Sequence, residues 1–261
     1  MKRIEHTLAR LRTAGRSGLV TYFTAGDPDF DTSLTLLRGL AAAGADLIEL
    51  GLPFSDPVAD GPVIQAAHIR ARAAGQTVAL TLDLVHALRN TDAITPVVLM
   101  GYLNPVLQYG IERFMQDAAH SGVDGLILVD LPIEHIAPYD AAARAAGLHL
   151  IRMSAPTSDD ARLAQILVGA GGFVYHVSVN GTTGAGAATP EDVAQAVERV
   201  HRHTVLPVAA GFGIREAAQV KALAGRCELI VVGSALVARL ADQGVAAALA
   251  QVRELAEACA T

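Results

Sequence analysis

Glu49 interrupts the apolar run Leu47–Leu50, and a second carboxylate, Asp60, follows at the end of the loop 51–62. Charged side chains are rarely placed inside an apolar strand without a task. No Lys or Arg occurs between Arg38 and Arg70 to neutralise Glu49 locally. Side chains alternate along a strand, so Leu47 and Glu49 share one face and Ile48 and Leu50 the other. Apolar surroundings raise a carboxyl pKa towards neutrality, which suits a general acid or base. Gly51, Pro53, Pro57, Gly61 and Pro62 break regular structure across the loop, which also carries Ser55 and Asp56. Asp60 stands directly before Gly61-Pro62, and two roles are open to it: N-cap of the next helix or substrate contact.

Two further stretches point to an anionic ligand. The turns Gly211-Phe212-Gly213 and Gly233-Ser234 close two successive apolar runs. In barrels of alternating strands and helices that corner binds phosphate through backbone N–H groups and a helix N-terminus. Glycine lets the backbone approach the anion, and no basic patch is then needed. The loop Asn180–Thr189, NGTTGAGAAT, is long and glycine-rich and reads as a lid. Tyr175 shares its strand phase with Phe173 and Val177 and points inward. Asp27 and Asp130 also follow strands, where turn or cap roles suit them. The nine histidines form no ligand cluster. His201 and His203 lack a third ligand, and no GxSxG, HExxH or P-loop pattern occurs, so no metal site is expected.

The elements that must position these residues repeat with a regular rhythm. Apolar runs at 19–24, 47–50, 96–102, 125–130, 148–153, 173–179, 207–212 and 228–233 read as strands. Helical spacing follows each: from Asp31 or Thr32 to Ala43, at 62–73 and 77–90, near 111–120, 135–146 and 159–169, over 190–201 and 215–224, and from Ser234 through a last helix to Ala258. A helix at 2–14, with Ile4, Leu8 and Leu11 on one face, precedes the pattern. Near-continuous apolar strands alternating with helices imply a parallel sheet covered on both faces. Eight such units predict a closed α/β barrel of the (β/α)8, or TIM, type. An open doubly wound sheet is the competing fold, but no GxGxxG turn follows the first strand.

Composition bounds the function. The chain has 261 residues, 52% of them hydrophobic, and a net charge of −6. No composition shift marks a boundary, so one domain over 1–261 is expected. The acidic balance, without basic clusters, argues against nucleic acid. Cys227 and Cys259, the only cysteines, suit a reduced compartment. The N-terminus lacks the apolar centre of a signal peptide, and no charge-free run reaches the ~18 residues of a membrane span. A cytoplasmic protein that is not in the membrane is expected.

Taken together, TAGDPD (24–29), ELGLPFSDPVADGP (49–62), VDLP (129–132), YHVSVNGTTG (175–184), AGFGI (210–214) and GSALV (233–237) resemble the alpha subunit of tryptophan synthase. The likeness runs from about residue 16 to residue 240. It implies the barrel fold and a lyase that cleaves indole-3-glycerol phosphate to indole and glyceraldehyde 3-phosphate, in tryptophan biosynthesis. The resemblance places the catalytic carboxylates on Glu49 and Asp60. It puts the lid threonine on Thr183 and the phosphate contacts on Gly184, Gly213, Gly233 and Ser234. The indole pocket falls on Tyr22, Met100, Ile127, Val129, Met153, Tyr175 and Phe212. Val129, His176 and Asn180 depart from the family's pattern. No metal or organic cofactor is implied. The implied partner is a beta subunit in an αββα heterotetramer, with Asp56 on the contact loop. A stand-alone lyase and a non-catalytic barrel that activates a beta partner are the alternatives. The absence of any strand lysine (Lys2 and Lys221 are the only two) argues against other phosphate-binding barrels.

Overall fold

The computed structural model describes residues 2–177, 189–211 and 213–259. Thr183, Gly184, Asn180 and Phe212 therefore lie outside the described residues. The strands are β1 (Gly18–Thr24), β2 (Leu47–Gly51), β3 (Val97–Gly101), β4 (Gly125–Leu128), β5 (His149–Leu150), β6 (Arg152–Ser154), β7 (Val174–Val177), β8 (Val208–Gly211) and β9 (Leu229–Val232). Their order in the sheet is β5-β4-β3-β2-β1-β9-β8-β7-β6, and the pairings are parallel.

The two ends of that order meet. Only Ile151 separates β5 from β6, and its N–H donates to the Leu126 carbonyl at 2.8 Å. The expected fifth strand is thus one extended segment broken at a single residue. Its first half pairs with β4 and its second half with β7. Closing a barrel staggers neighbouring strands, so one strand can meet its two neighbours at different heights. The result is the TIM barrel.

Alternation within these strands sorts the side chains into two layers. Val20, Leu47, Val98, Ile127, Phe173 and Tyr175 belong to an inner cluster. Ile48, Leu50, Leu99, Leu126, Val174 and Val208 pack in the shell beneath the helices. The first helix, α1 (Arg3–Ala14), sends Ile4, Leu8 and Leu11 into the inner cluster and so plugs one mouth of the barrel. That mouth is the N-terminal end of the strands. Asp46, just before β2, takes Arg10 at 2.6 Å and Arg16 at 2.8 Å and accepts the Leu19 N–H at 3.0 Å. Asp124, just before β4, takes Arg3 and Arg89 and accepts the Val97 N–H. Both carboxylates are spent on stability, and the opposite mouth is left for chemistry.

Several boundaries differ from expectation. Helix α2 (Phe30–Leu40) is opened by Asp29, not by Asp31 or Thr32. The extended backbone of Asp29 lets its carboxylate accept both the N–H and the hydroxyl of Thr32. After α3 (Pro62–Ala73) and α4 (Val78–Arg89), an unexpected helix, α5 (Leu103–Tyr109), precedes α6 (Ile111–Ser121). Asn104-Pro105 reads as a turn, yet a proline in the first turn forfeits no intrahelical bond. Asp130 satisfies that end by accepting the Leu103 N–H at 2.7 Å. The fourth strand stops at Leu128 rather than running to Asp130. The remaining helices are α7 (Ala137–Ala145), α8 (Asp160–Ile166), α9 (Pro190–His201), α10 (Ala217–Leu223) and α11 (Ser234–Ala258). Gly244, at φ 77°, breaks α11 into the two helices read from sequence.

Candidate active site

Glu49 sits in β2 with Tyr22 of β1 beside it on one side and Val98 of β3 on the other. It is 0% exposed. Neither carboxyl oxygen has a hydrogen-bond partner among the described residues. Burial without compensation raises its pKa from 4.5 to about 8. The group therefore holds its proton at neutral pH and can both give and take one, as the apolar surroundings of Leu47–Leu50 predict.

Tyr22 and Tyr175 flank this carboxyl. Burial raises both phenols, and charge on Glu49 and on Asp60 raises each further. Both carboxylates are thus within electrostatic reach of both rings. Close packing of the phenols depends on two strand-end glycines. A Cβ on Gly51 would strike the Tyr22 hydroxyl, and one on Gly211 would come within 3.0 Å of the Tyr175 hydroxyl. Met100 lies across from Ile127, and Met153 across from Tyr175. With Val129, just past β4, these residues belong to the inner apolar cluster above Glu49. A cavity of 140 Å³ borders Val129 and Met153, but its other lining residues include Leu131, Ile136, Arg162 and Ile166, and neither Glu49 nor Asp60 lines it. His176, the next residue after Tyr175, turns to the opposite face. There it bonds Ser154 at 2.9 Å, and burial holds its pKa down to about 4.

Asp60 does not cap α3. Gly61 is the N-cap residue, with no side-chain cap bond. The Asp60 carboxylate instead accepts the Tyr102 hydroxyl at 2.8 Å and meets His68 Nε2 at 3.3 Å, both on Oδ2. Its carbonyl accepts the Gln65 amide. The Asp60 bond contributes to a raised Tyr102 pKa, after burial. The Tyr102 oxygen also accepts the Ala59 N–H at 2.9 Å, and its ring stacks on Phe54 at 5.1 Å. Neither Tyr102 nor His68 was singled out from the sequence as a partner of Asp60. Tyr102 ends the third apolar run, where a polar tip at a strand end was a usable signal. His68 carried no such signal, because its role depends on how α3 docks.

Gly233 and Ser234 stand at the N-terminus of α11, with Gly233 as its cap. A Cβ on Gly233 would touch the Tyr22 side chain at 3.4 Å. The glycine corner and the buried carboxyl therefore meet through one tyrosine. Gly213, at φ 65°, adopts the left-handed conformation that favours glycine, with open space around it. Asp27 is engaged elsewhere, in a two-pronged pair with Arg70 at 2.7 and 2.8 Å. Asp56 is exposed on the loop before Asp60.

A family model described as tryptophan synthase alpha chain matches residues 8–261. The chain belongs to the tryptophan synthase alpha-chain family. It has the alpha-chain role in tryptophan biosynthesis, that of an indole-3-glycerol-phosphate lyase. Solved structures agree. The tryptophan synthase alpha subunit of Legionella pneumophila is 36% identical, with a TM-score of 0.91 over 99% of this chain and 98% of that one. A chain in a Mycobacterium tuberculosis tryptophan synthase structure is 36% identical, with a TM-score of 0.92 over 100% and 99%. A protein of Aquifex aeolicus is 34% identical, with a TM-score of 0.92 over 99% of each chain. Among the described residues of this alpha chain, no helix is long and apolar enough to cross a membrane.

Proposed function

We propose that Glu49 is the proton-transfer group and Asp60 the charge-stabilising group of the retro-aldol cleavage. The observation that carries this reading is the burial of Glu49 with no hydrogen-bond partner among the described residues. A carboxyl so placed is protonated at neutral pH and can deliver its proton to the indole ring carbon that bears the glycerol chain. The resulting carboxylate then takes the proton from the adjacent hydroxyl. As the carbon–carbon bond breaks, its electron pair returns to the ring and restores indole. The hydroxyl-bearing carbon becomes the aldehyde of glyceraldehyde 3-phosphate. Between these steps the ring nitrogen is cationic, and the Asp60 carboxylate accepts its N–H and stabilises the charge.

The phosphate is held at Gly213, Gly233 and Ser234, with Gly184, by backbone N–H groups and the α11 N-terminus. Tyr22, Met100, Ile127, Val129, Met153, Tyr175 and Phe212 enclose the indole. Phosphate binding supplies the positioning that the reacting bond requires. The whole of 1–261 acts as one barrel domain in the cytoplasm. It docks on a beta subunit in an αββα assembly through the loop that carries Asp56. Val58, on that loop with Asp56, is 76% exposed and so open to such a contact. Docking restrains the loop that ends in Asp60 and favours closure of the lid carrying Thr183, raising turnover by a shift in population. The direct test incubates the purified chain with indole-3-glycerol phosphate and follows indole and glyceraldehyde 3-phosphate, with and without a cognate beta subunit. Turnover near the wild-type level in Glu49→Gln would remove Glu49 from the mechanism.

A further inference from the structure

We infer that His68 is a positioning residue that ties together the two ends of the Phe54–Asp60 segment and aims Asp60. The inference rests on the proposed role of Asp60 and adds a residue to it. His68 lies on α3 and is 2% exposed. Its Nδ1 meets the Phe54 backbone N–H at 3.2 Å, and its Nε2 meets Asp60 Oδ2 at 3.3 Å. A backbone N–H can only donate, so Nδ1 is the acceptor. The ring is therefore the neutral tautomer with its proton on Nε2, pointing at the carboxylate. One imidazole thus reads the start of the loop through its backbone and holds the end of it through the side chain.

Tyr102 makes the second grip on the same segment. It stacks on Phe54, accepts the Ala59 N–H and donates to Asp60 Oδ2. Two donors therefore converge on Oδ2. Oδ1 accepts no hydrogen bond among the described residues, which leaves it for the ring N–H of the substrate. A carboxylate on a loop gains catalytic value when its orientation is set before the charge develops. A loop broken by prolines cannot set that orientation alone, whereas α3 and β3 are rigid supports for it.

The test uses the full chain, assayed alone and with a cognate beta subunit. His68→Leu removes both bonds. It is expected to lower kcat by about 10- to 100-fold with KM for indole-3-glycerol phosphate within about 2-fold, since the lost orientation matters only in the transition state. His68→Gln, whose amide reaches about as far as Nε2, is expected to recover kcat to within about 3-fold of wild type. In an Asp60→Asn background, His68→Leu is expected to cost less than about 2-fold more. Unchanged kcat in a folded His68→Leu, or a full additional loss in the Asp60→Asn background, overturns the inference. Should His68→Leu not fold, His68→Asn replaces it: the shorter amide meets Phe54 but not Asp60, and kcat equal to that of His68→Gln is then the refuting result. Failure of the Asp60 role is a separate outcome, seen as normal turnover in Asp60→Asn alone.

Discussion

Replacing Glu49 by glutamine tests catalysis and stability at once, with opposite signs. The carboxyl is 0% exposed, without a hydrogen-bond partner among the described residues, and raised from 4.5 to about 8 by burial. In the unfolded chain the same group releases its proton near its ordinary value. Between these two values the folded state carries a proton that the unfolded state lacks, so wild-type stability falls as pH rises. At ~1.4 kcal/mol for each pH unit, the interval from 4.5 to about 8 amounts to roughly 5 kcal/mol. Below pH 4.5 both side chains are neutral and of one shape, so the two proteins should unfold at similar urea concentrations. By pH 8 the Gln variant should be the more stable by roughly 4 kcal/mol, and above that the difference levels off. All other titrating groups cancel in the comparison. Turnover should meanwhile drop more than ~100-fold, because an amide cannot shuttle a proton. The assay is urea unfolding of both proteins at pH 5, 6.5, 8 and 9, each extrapolated to water. A stability difference that stays constant within ~1 kcal/mol across this range, or a wild type favoured at pH 8, would refute the account of Glu49. In the wild type, kcat/KM should also decline as pH passes about 8, where the free enzyme loses the proton it must deliver.

Asp60→Asn should lower kcat by about 100-fold, the scale of losing one charge-stabilising group, while the urea midpoint barely moves. Gly61, not Asp60, caps α3, so a stability loss with intact turnover would contradict this. Gly233→Asp should weaken substrate and glyceraldehyde 3-phosphate binding by at least ~10-fold through repulsion of the phosphate, and leave free indole unaffected. Its Cβ finds ordinary contact with Tyr22 at 3.4 Å, so unfolding is not expected, and unchanged product affinity would put the phosphate elsewhere. Asp56→Ala should reduce stimulation by the beta subunit by about 3- to 10-fold, or ~1 kcal/mol, with the basal rate within about 2-fold. Equal loss in both rates would show that this loop is not the coupling element.

The fold was legible because each strand–helix unit obeys local rules. Apolar runs of four to seven residues alternate with stretches of helical spacing along the chain, and that alternation specifies a closed parallel barrel. The placement of Glu49 was equally local: alternation along Leu47–Leu50 decides its face, and the absence of nearby cations decides that nothing local neutralises it. Helix capping was read less well. Choosing Asp29 over Asp31 depends on one extended φ/ψ pair, which residue type does not encode. The split of the fifth strand at Ile151 arises from the stagger of closure, a property of the whole barrel. The surroundings of Asp60 were decided by tertiary structure alone. His68 comes from the helix after the loop and Tyr102 from the residue just past β3 that caps α5, 42 residues along the chain from Asp60. No periodicity or spacing encodes that meeting, because it exists only once α3 and β3 have docked and the loop has been drawn between them.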